Sequence, residues 1–129
     1  MTVKLELYRC KVCGNIAQIM VSGEGNLVCC GQEMGKIEPN YKETNLNEKH
    51  IPIFEQNEQE TLIKVGSIPH PMEEKHYIQF IQAISHDRNC TYTKFLSPND
   101  KPEAKIPPNC EIKCAIEYCN IHSLFKSEK

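Results

Sequence analysis

No stretch of the sequence approaches the roughly 20 consecutive apolar residues of a membrane-spanning helix, and the opening MTVKLELYRC has neither the basic start nor the apolar run of a secretory signal. The expected setting is the cytoplasm, with no membrane partner. Charge of one sign is also lacking: 15 Lys and Arg stand against 17 Asp and Glu, with no polybasic tract. A nucleic-acid groove or an anionic lipid surface calls for such a tract, so neither partner is expected. Apolar residues nowhere keep a helical period, no internal repeat is visible, and histidine occurs only five times. A chain of 129 residues can form one ordinary domain, or a small stapled module followed by a compact domain.

Cysteine, by contrast, is abundant, with eight in the chain. In a reducing compartment stable disulfides are disfavoured, which leaves metal binding or redox chemistry as the reason for so many thiols. YRCKVCG sets Cys10 and Cys13 in a C-x-x-C hook, and LVCCG sets Cys29 beside Cys30, each pair followed by a glycine, Gly14 or Gly31. Four thiolates delivered as two close pairs suit a tetrahedral sulfur site, and glycine lets the backbone turn tightly behind each pair. Spacing alone leaves two metals open, a structural zinc that only folds the module and a redox-active iron bound by four sulfurs.

The polar bridge IEPNYKETNLN separates this Cys- and Gly-rich start from a longer apolar-patterned stretch, placing a boundary near residue 38. Beyond it KHIPIFE, TLIKVGS, HYIQFIQAIS, TYTKFL and EIKCAIEY read as strands, interrupted by Pro69, Pro71, SPND and KIPPN. In the last run Ile112, Cys114, Ile116 and Tyr118 are expected on one face, with Lys113, Ala115 and Glu117 on the other. Several short strands at this spacing point to a β-sandwich or barrel.

Histidine appears as His50 in EKHIP, His70 and His76 in HPMEEKH, His86 in SHDRN and His122 in EYCNIH, three residues after Cys119. An extended strand would hold His70 and His76 about 20 Å apart. Pro69 and Pro71 flank His70, so a bent loop that folds both imidazoles onto one ion is the alternative. His86 reads as a surface residue. The other four, with the Cys119 thiolate, form a mixed nitrogen and sulfur set suited to iron, copper or zinc, although spacing does not show that they converge.

In this order, from residue 1 to about 125, CKVC, CC, NEKHIPIFE, VGSIPHPMEEKHYIQF and EYCNIH resemble desulfoferrodoxin, the two-iron class of superoxide reductase. The resemblance implies an all-β chain: a desulforedoxin-like module over residues 1–37, then an immunoglobulin-like β-sandwich over residues 38–129. It implies two irons, one on Cys10, Cys13, Cys29 and Cys30, so that iron displaces zinc there, and a catalytic one on His50, His70, His76, His122 and Cys119. The implied reaction is one-electron reduction of superoxide to hydrogen peroxide, fed by a small redox donor such as rubredoxin, in a homodimer. Lys49 would attract the anion, and Glu48 would take the open metal position after turnover. Cys90, Cys110 and Cys114 receive no role, and a chain without tryptophan, ending in SLFK and a few further residues, is expected to pack differently around the second iron from relatives with larger aromatics. Competing expectations are a non-catalytic iron electron carrier with a saturated second site and a zinc-stapled interaction module.

Overall fold

A computed structural model of the chain describes residues 1–43, 49–66, 70–107 and 111–129; Glu48, Pro69 and Cys110 lie outside them. The described residues contain strands and turns but no helix, as the missing helical period requires. Two units are present, Met1–Glu38 and Pro39–Lys129.

In the first unit β1 (Leu7–Arg9) pairs antiparallel with β2 (Ile16–Gln18), while β3 (Val28–Cys29) and β4 (Gln32–Glu33) form a separate hairpin. The last strand, β5 (Gly35–Lys36), adds to the other side of β1. Strands of two or three residues bury little: only Thr2, Leu7, Cys10 and Ile19 of this unit are buried among the described residues. A core of that size does not hold a module together by hydrophobic burial, which leaves cross-linking by a metal as the source of its stability.

The second unit is a two-layer sandwich. One sheet has the order β10-β7-β6, built from β6 (Pro52–Gln56), β7 (Thr61–Val65) and β10 (Glu103–Ile106). The other has the order β12-β11-β8-β9, built from β8 (Ile78–Ser85), β9 (Thr91–Phe95), β11 (Ile112–Cys119) and β12 (Ser123–Glu128). Ile63, Val65 and Ile106 from the first sheet meet Ile78, Ile81 and Ala115 from the second in one apolar cluster. Every ladder is antiparallel, and three strands facing four is the layering of an immunoglobulin-like sandwich.

Two strands fall where no run was expected. β10 lies between Pro102 and Pro107, inside a stretch read as a break. It is an edge strand, and edge strands tolerate a flanking residue without an N–H. β12 occupies the SLFK tail; Leu124 and Phe125 are both buried, so polar–apolar alternation does not mark it.

The expected faces of β11 need correction. A register shift between Ile112 and Cys114 inserts a bulge, which brings Ile112 onto the same face as Ala115 and Cys119, all in the inter-sheet cluster. Ala115 and Glu117, expected on a half-exposed face, are fully buried.

Register gathers five chain segments at one end of the sandwich. Pro52 at the start of β6 lies opposite Val65 at the end of β7. Ile78 at the start of β8 lies opposite Cys119 at the end of β11, which in turn lies opposite Ser123 at the start of β12. Gly66 closes this end with φ 74°, its N–H donating to the Ile51 carbonyl at 3.0 Å. A Cβ at Gly66 would collide with the backbone carbonyl of Lys49. Gly66→Ala is therefore expected to cost roughly 2–4 kcal/mol, from the left-handed backbone and from overpacking; an unchanged urea midpoint would contradict this close approach.

Candidate metal centres

Two groups of donor side chains come together among the described residues: Cys10, Cys13, Cys29 and Cys30 in the first unit, and His50, His70, His76, Cys119 and His122 in the second. Within each group the donor atoms lie within 4.8 Å of one another. No disulfide joins any of the seven described cysteines.

The four-cysteine group is built by two turns. Cys10 directly follows β1, and the chain reverses so that the Gly14 N–H, at φ 82°, donates to the Cys10 carbonyl at 3.0 Å. Cys29 ends β3, and Cys30 and Gly31 both take positive φ, 53° and 74°. The sulfurs of Cys13 and Cys29 are 3.6 Å apart and those of Cys29 and Cys30 3.9 Å apart. A tetrahedron with metal–sulfur bonds of about 2.3 Å has edges of about 3.8 Å, so the set fits one ion.

Electrostatics argue the same way. The Cys13 amide N–H directed at the Cys10 sulfur is the main influence drawing that thiol down to about 6. The sulfurs of Cys13, Cys29 and Cys10 push Cys30 up to about 12. One thiolate is thus favoured at Cys10 while the neighbouring sulfurs oppose ionisation of Cys29 and Cys30, a conflict that a cation removes.

The second group assembles at the sandwich end described above. His50 precedes β6, His70 and His76 lie between β7 and β8, Cys119 ends β11, and His122 closes the turn before β12. His70 and His76 do meet, with ring centroids 4.9 Å apart. The loop doubles back through reciprocal backbone hydrogen bonds between Glu73 and His76, 2.9 and 3.1 Å long. Glu73, Glu74 and Lys75 are exposed on it.

The nitrogens that face inward are identifiable. His70 Nδ1–H donates to the Pro71 carbonyl at 2.7 Å, which leaves its Nε2 lone pair aimed at His50 Nε2, 2.9 Å away. Cys119 Sγ lies 3.6 Å from His70 Nε2 and 3.9 Å from His122 Nδ1. Neighbouring nitrogens around an ion with bonds of about 2.1 Å stand about 3 Å apart, so this donor set also fits one metal. Burial and the adjacent imidazoles of His70, His122 and His76 hold His50 down to about 3, so it is neutral, as a ligand must be. His50, His70 and Cys119 are buried, whereas His76 and His122 are half-buried and form the side nearer solvent.

Several residues of this site had no signal in the sequence. The Glu43 carboxylate accepts the backbone N–H groups of His50 at 2.7 Å and Ile51 at 2.8 Å, and one of its oxygens lies 3.9 Å from His50 Nδ1. Phe125 stacks on the His50 ring with centroids 4.4 Å apart and an interplanar angle of 11°; this is the aromatic packing that the tail supplies. The carboxyl oxygens of Glu117, fully buried, have no hydrogen-bond partner among the described residues, and burial, reinforced by the Glu43 charge, raises this carboxyl well above the usual range. Lys49 is half-buried next to His50, whereas Cys90 is exposed and Cys114 is buried on β11.

Comparisons with known proteins agree with this layout. The Desulfoferrodoxin family model matches residues 42–128, and the model of the desulfoferrodoxin N-terminal domain matches residues 2–37. The chain belongs to the desulfoferrodoxin family. It is 44% identical to a desulfoferrodoxin of Syntrophotalea carbinolica over 99% of both chains. It is 31% identical to a putative superoxide reductase of Methanocaldococcus jannaschii over 67% of this chain and 84% of that one. In three dimensions it is similar to the superoxide reductase of Treponema pallidum, with a TM-score of 0.79, 23% identity and coverage of 97% and 98%, a likeness of fold. Membership of the family brings two iron sites, and the two clusters are the donor sets that can hold them.

The depressed His50 imidazole has a consequence for pH. The unfolded chain takes up a proton between about 6.5 and 3 that the folded chain refuses, so the second unit of the metal-free protein should lose stability as pH falls through that window. Urea midpoints measured from pH 7 to 3 should decline less steeply in His50→Gln than in the unsubstituted protein; parallel curves would contradict the assignment.

Proposed function

We propose that the protein is a superoxide reductase, taking superoxide, one electron and two protons to hydrogen peroxide. The observation that carries the reading is the convergence of four imidazoles and one thiolate from separate segments to within 4.8 Å. His50, His70, His76, His122 and Cys119 are the ligands of the catalytic iron in this reading. Iron held there would supply the electron and an anion-accepting position, since five protein donors leave one of six unfilled. Neutral imidazoles add no negative charge, so the centre stays attractive to an anion. Cys119 presents its thiolate from the buried side, where water does not screen it.

Lys49, adjoining His50, attracts superoxide and stabilises charge on its oxygens. Glu48, outside the described residues, enters from its place beside Lys49 in the family motif, as the carboxylate that displaces product. Residues 1–37 form a module with iron on Cys10, Cys13, Cys29 and Cys30, and residues 38–129 form the catalytic domain. The electron donor is a small redox protein of the rubredoxin kind, and the working form is a cytoplasmic homodimer. No described helix is long and apolar enough to cross a membrane.

Pulse radiolysis of the reduced, iron-loaded protein is expected to show superoxide consumed with stoichiometric peroxide and no dioxygen; dioxygen evolution would refute the assignment. Lys49→Ala should slow the encounter by about tenfold and flatten its dependence on salt while leaving iron content intact. An unchanged rate would reduce Lys49 to a solvated side chain.

A further inference from the structure

We propose that Asn120 is the positioning residue that sets His76 against Cys119 and His122, which deepens the ligand reading above and rests on it. β8 begins at Ile78, and its ladder with β11 ends at the pair Ile78 and Cys119. His76 therefore lies beyond the last ladder pair, where sheet hydrogen bonding no longer controls its distance from Cys119. The reciprocal bonds between Glu73 and His76 shape the loop locally. They do not tie it to the turn between β11 and β12.

Asn120 supplies that tie. It occupies the first position of the turn, directly after Cys119. Its side-chain oxygen accepts the Tyr77 N–H at 2.9 Å, and its side-chain nitrogen donates to the Lys75 carbonyl at 3.0 Å. Its own backbone N–H donates to the Tyr77 carbonyl at 3.2 Å. One carboxamide thus grips the chain on both sides of His76, and the residue that bears it is bonded covalently to Cys119. The ring of His76 is held with its centroid 5.2 Å from that of His122 and 4.9 Å from that of His70.

The chemistry explains why this position is asparagine. The clamp needs one donor and one acceptor on a short planar group. Aspartate offers no donor and would set a carboxylate against the Lys75 carbonyl; glutamine is a methylene too long; serine is too short to span both peptides. The asparagine of the C-N-x-H motif therefore acts through His76 and is not itself a ligand.

The test uses the full iron-loaded protein and the variants Asn120→Ala and Asn120→Asp, with His76→Ala as reference. Iron loss to a chelator is followed through the visible band of the second centre, the band of the four-cysteine centre serving as internal control. Both Asn120 variants are expected to lose second-centre iron about 10–100-fold faster. Their second-centre band should shift towards that of His76→Ala, with the four-cysteine band unchanged. A purely structural role would lower the unfolding midpoint without moving the band. Unchanged band and chelation rate in both variants would overturn the role of Asn120. Absence of a second iron in the unsubstituted protein would instead overturn the ligand reading itself.

Discussion

The structure depends on one electrostatic constraint: lone-pair donors are crowded within 4.8 Å of one another in each unit, where one cation would satisfy them together. In the second unit the Nε2 atoms of His50 and His70 face each other at 2.9 Å, and the Cys119 sulfur lies within 4 Å of two imidazole nitrogens. In the first, sulfurs sit at the edge length of a metal tetrahedron, and Cys30 is driven up to about 12 by its neighbours. Such crowding is costly in an empty site and becomes favourable when the lone pairs point at one positive ion. The turns, the positive-φ residues and the strand register are arranged around that condition.

The two units meet the constraint differently. The first has little apolar material to bury, so its stability and its metal are bound together. The second has a full inter-sheet core that fixes the sandwich independently, and the site is attached to one end of it. Ladder register brings Cys119, His122 and the start of β8 side by side, while side chains finish the placement. Glu43 caps the amides of His50 and Ile51, Phe125 covers the His50 ring, and Gly66 admits the Lys49 backbone. A rigid sandwich with a site built on its end loops leaves the half-buried imidazoles of His76 and His122 towards solvent and the thiolate inside.

Much of this was legible in the sequence, for physical reasons. Strands that alternate, such as β7, announce themselves by period. Metal ligands announce themselves by residue type, since cysteine and histidine have few other reasons to cluster in so sparse a set. β10 was hidden by its flanking prolines, and β12 by having two adjacent buried residues. The bulge in β11 defeated the expected faces, because one extra residue reverses the alternation that such reading relies on. Glu43 was invisible for another reason: its partners are backbone N–H groups, which leave no mark in sequence. The same holds for Asn120, whose motif was noted while its hydrogen bonds were not. Glu48 and Cys110 lie outside the described residues.

The central claim is that this chain holds two separate mononuclear irons, one on sulfur alone and one on four imidazoles and a thiolate. Anomalous diffraction at the iron absorption edge, from crystals of protein produced with iron, tests it most directly. The account predicts two iron peaks per chain, one among Cys10, Cys13, Cys29 and Cys30 and one among His50, His70, His76, Cys119 and His122. A single peak, or anomalous signal at the zinc edge in place of the iron edge, would contradict it.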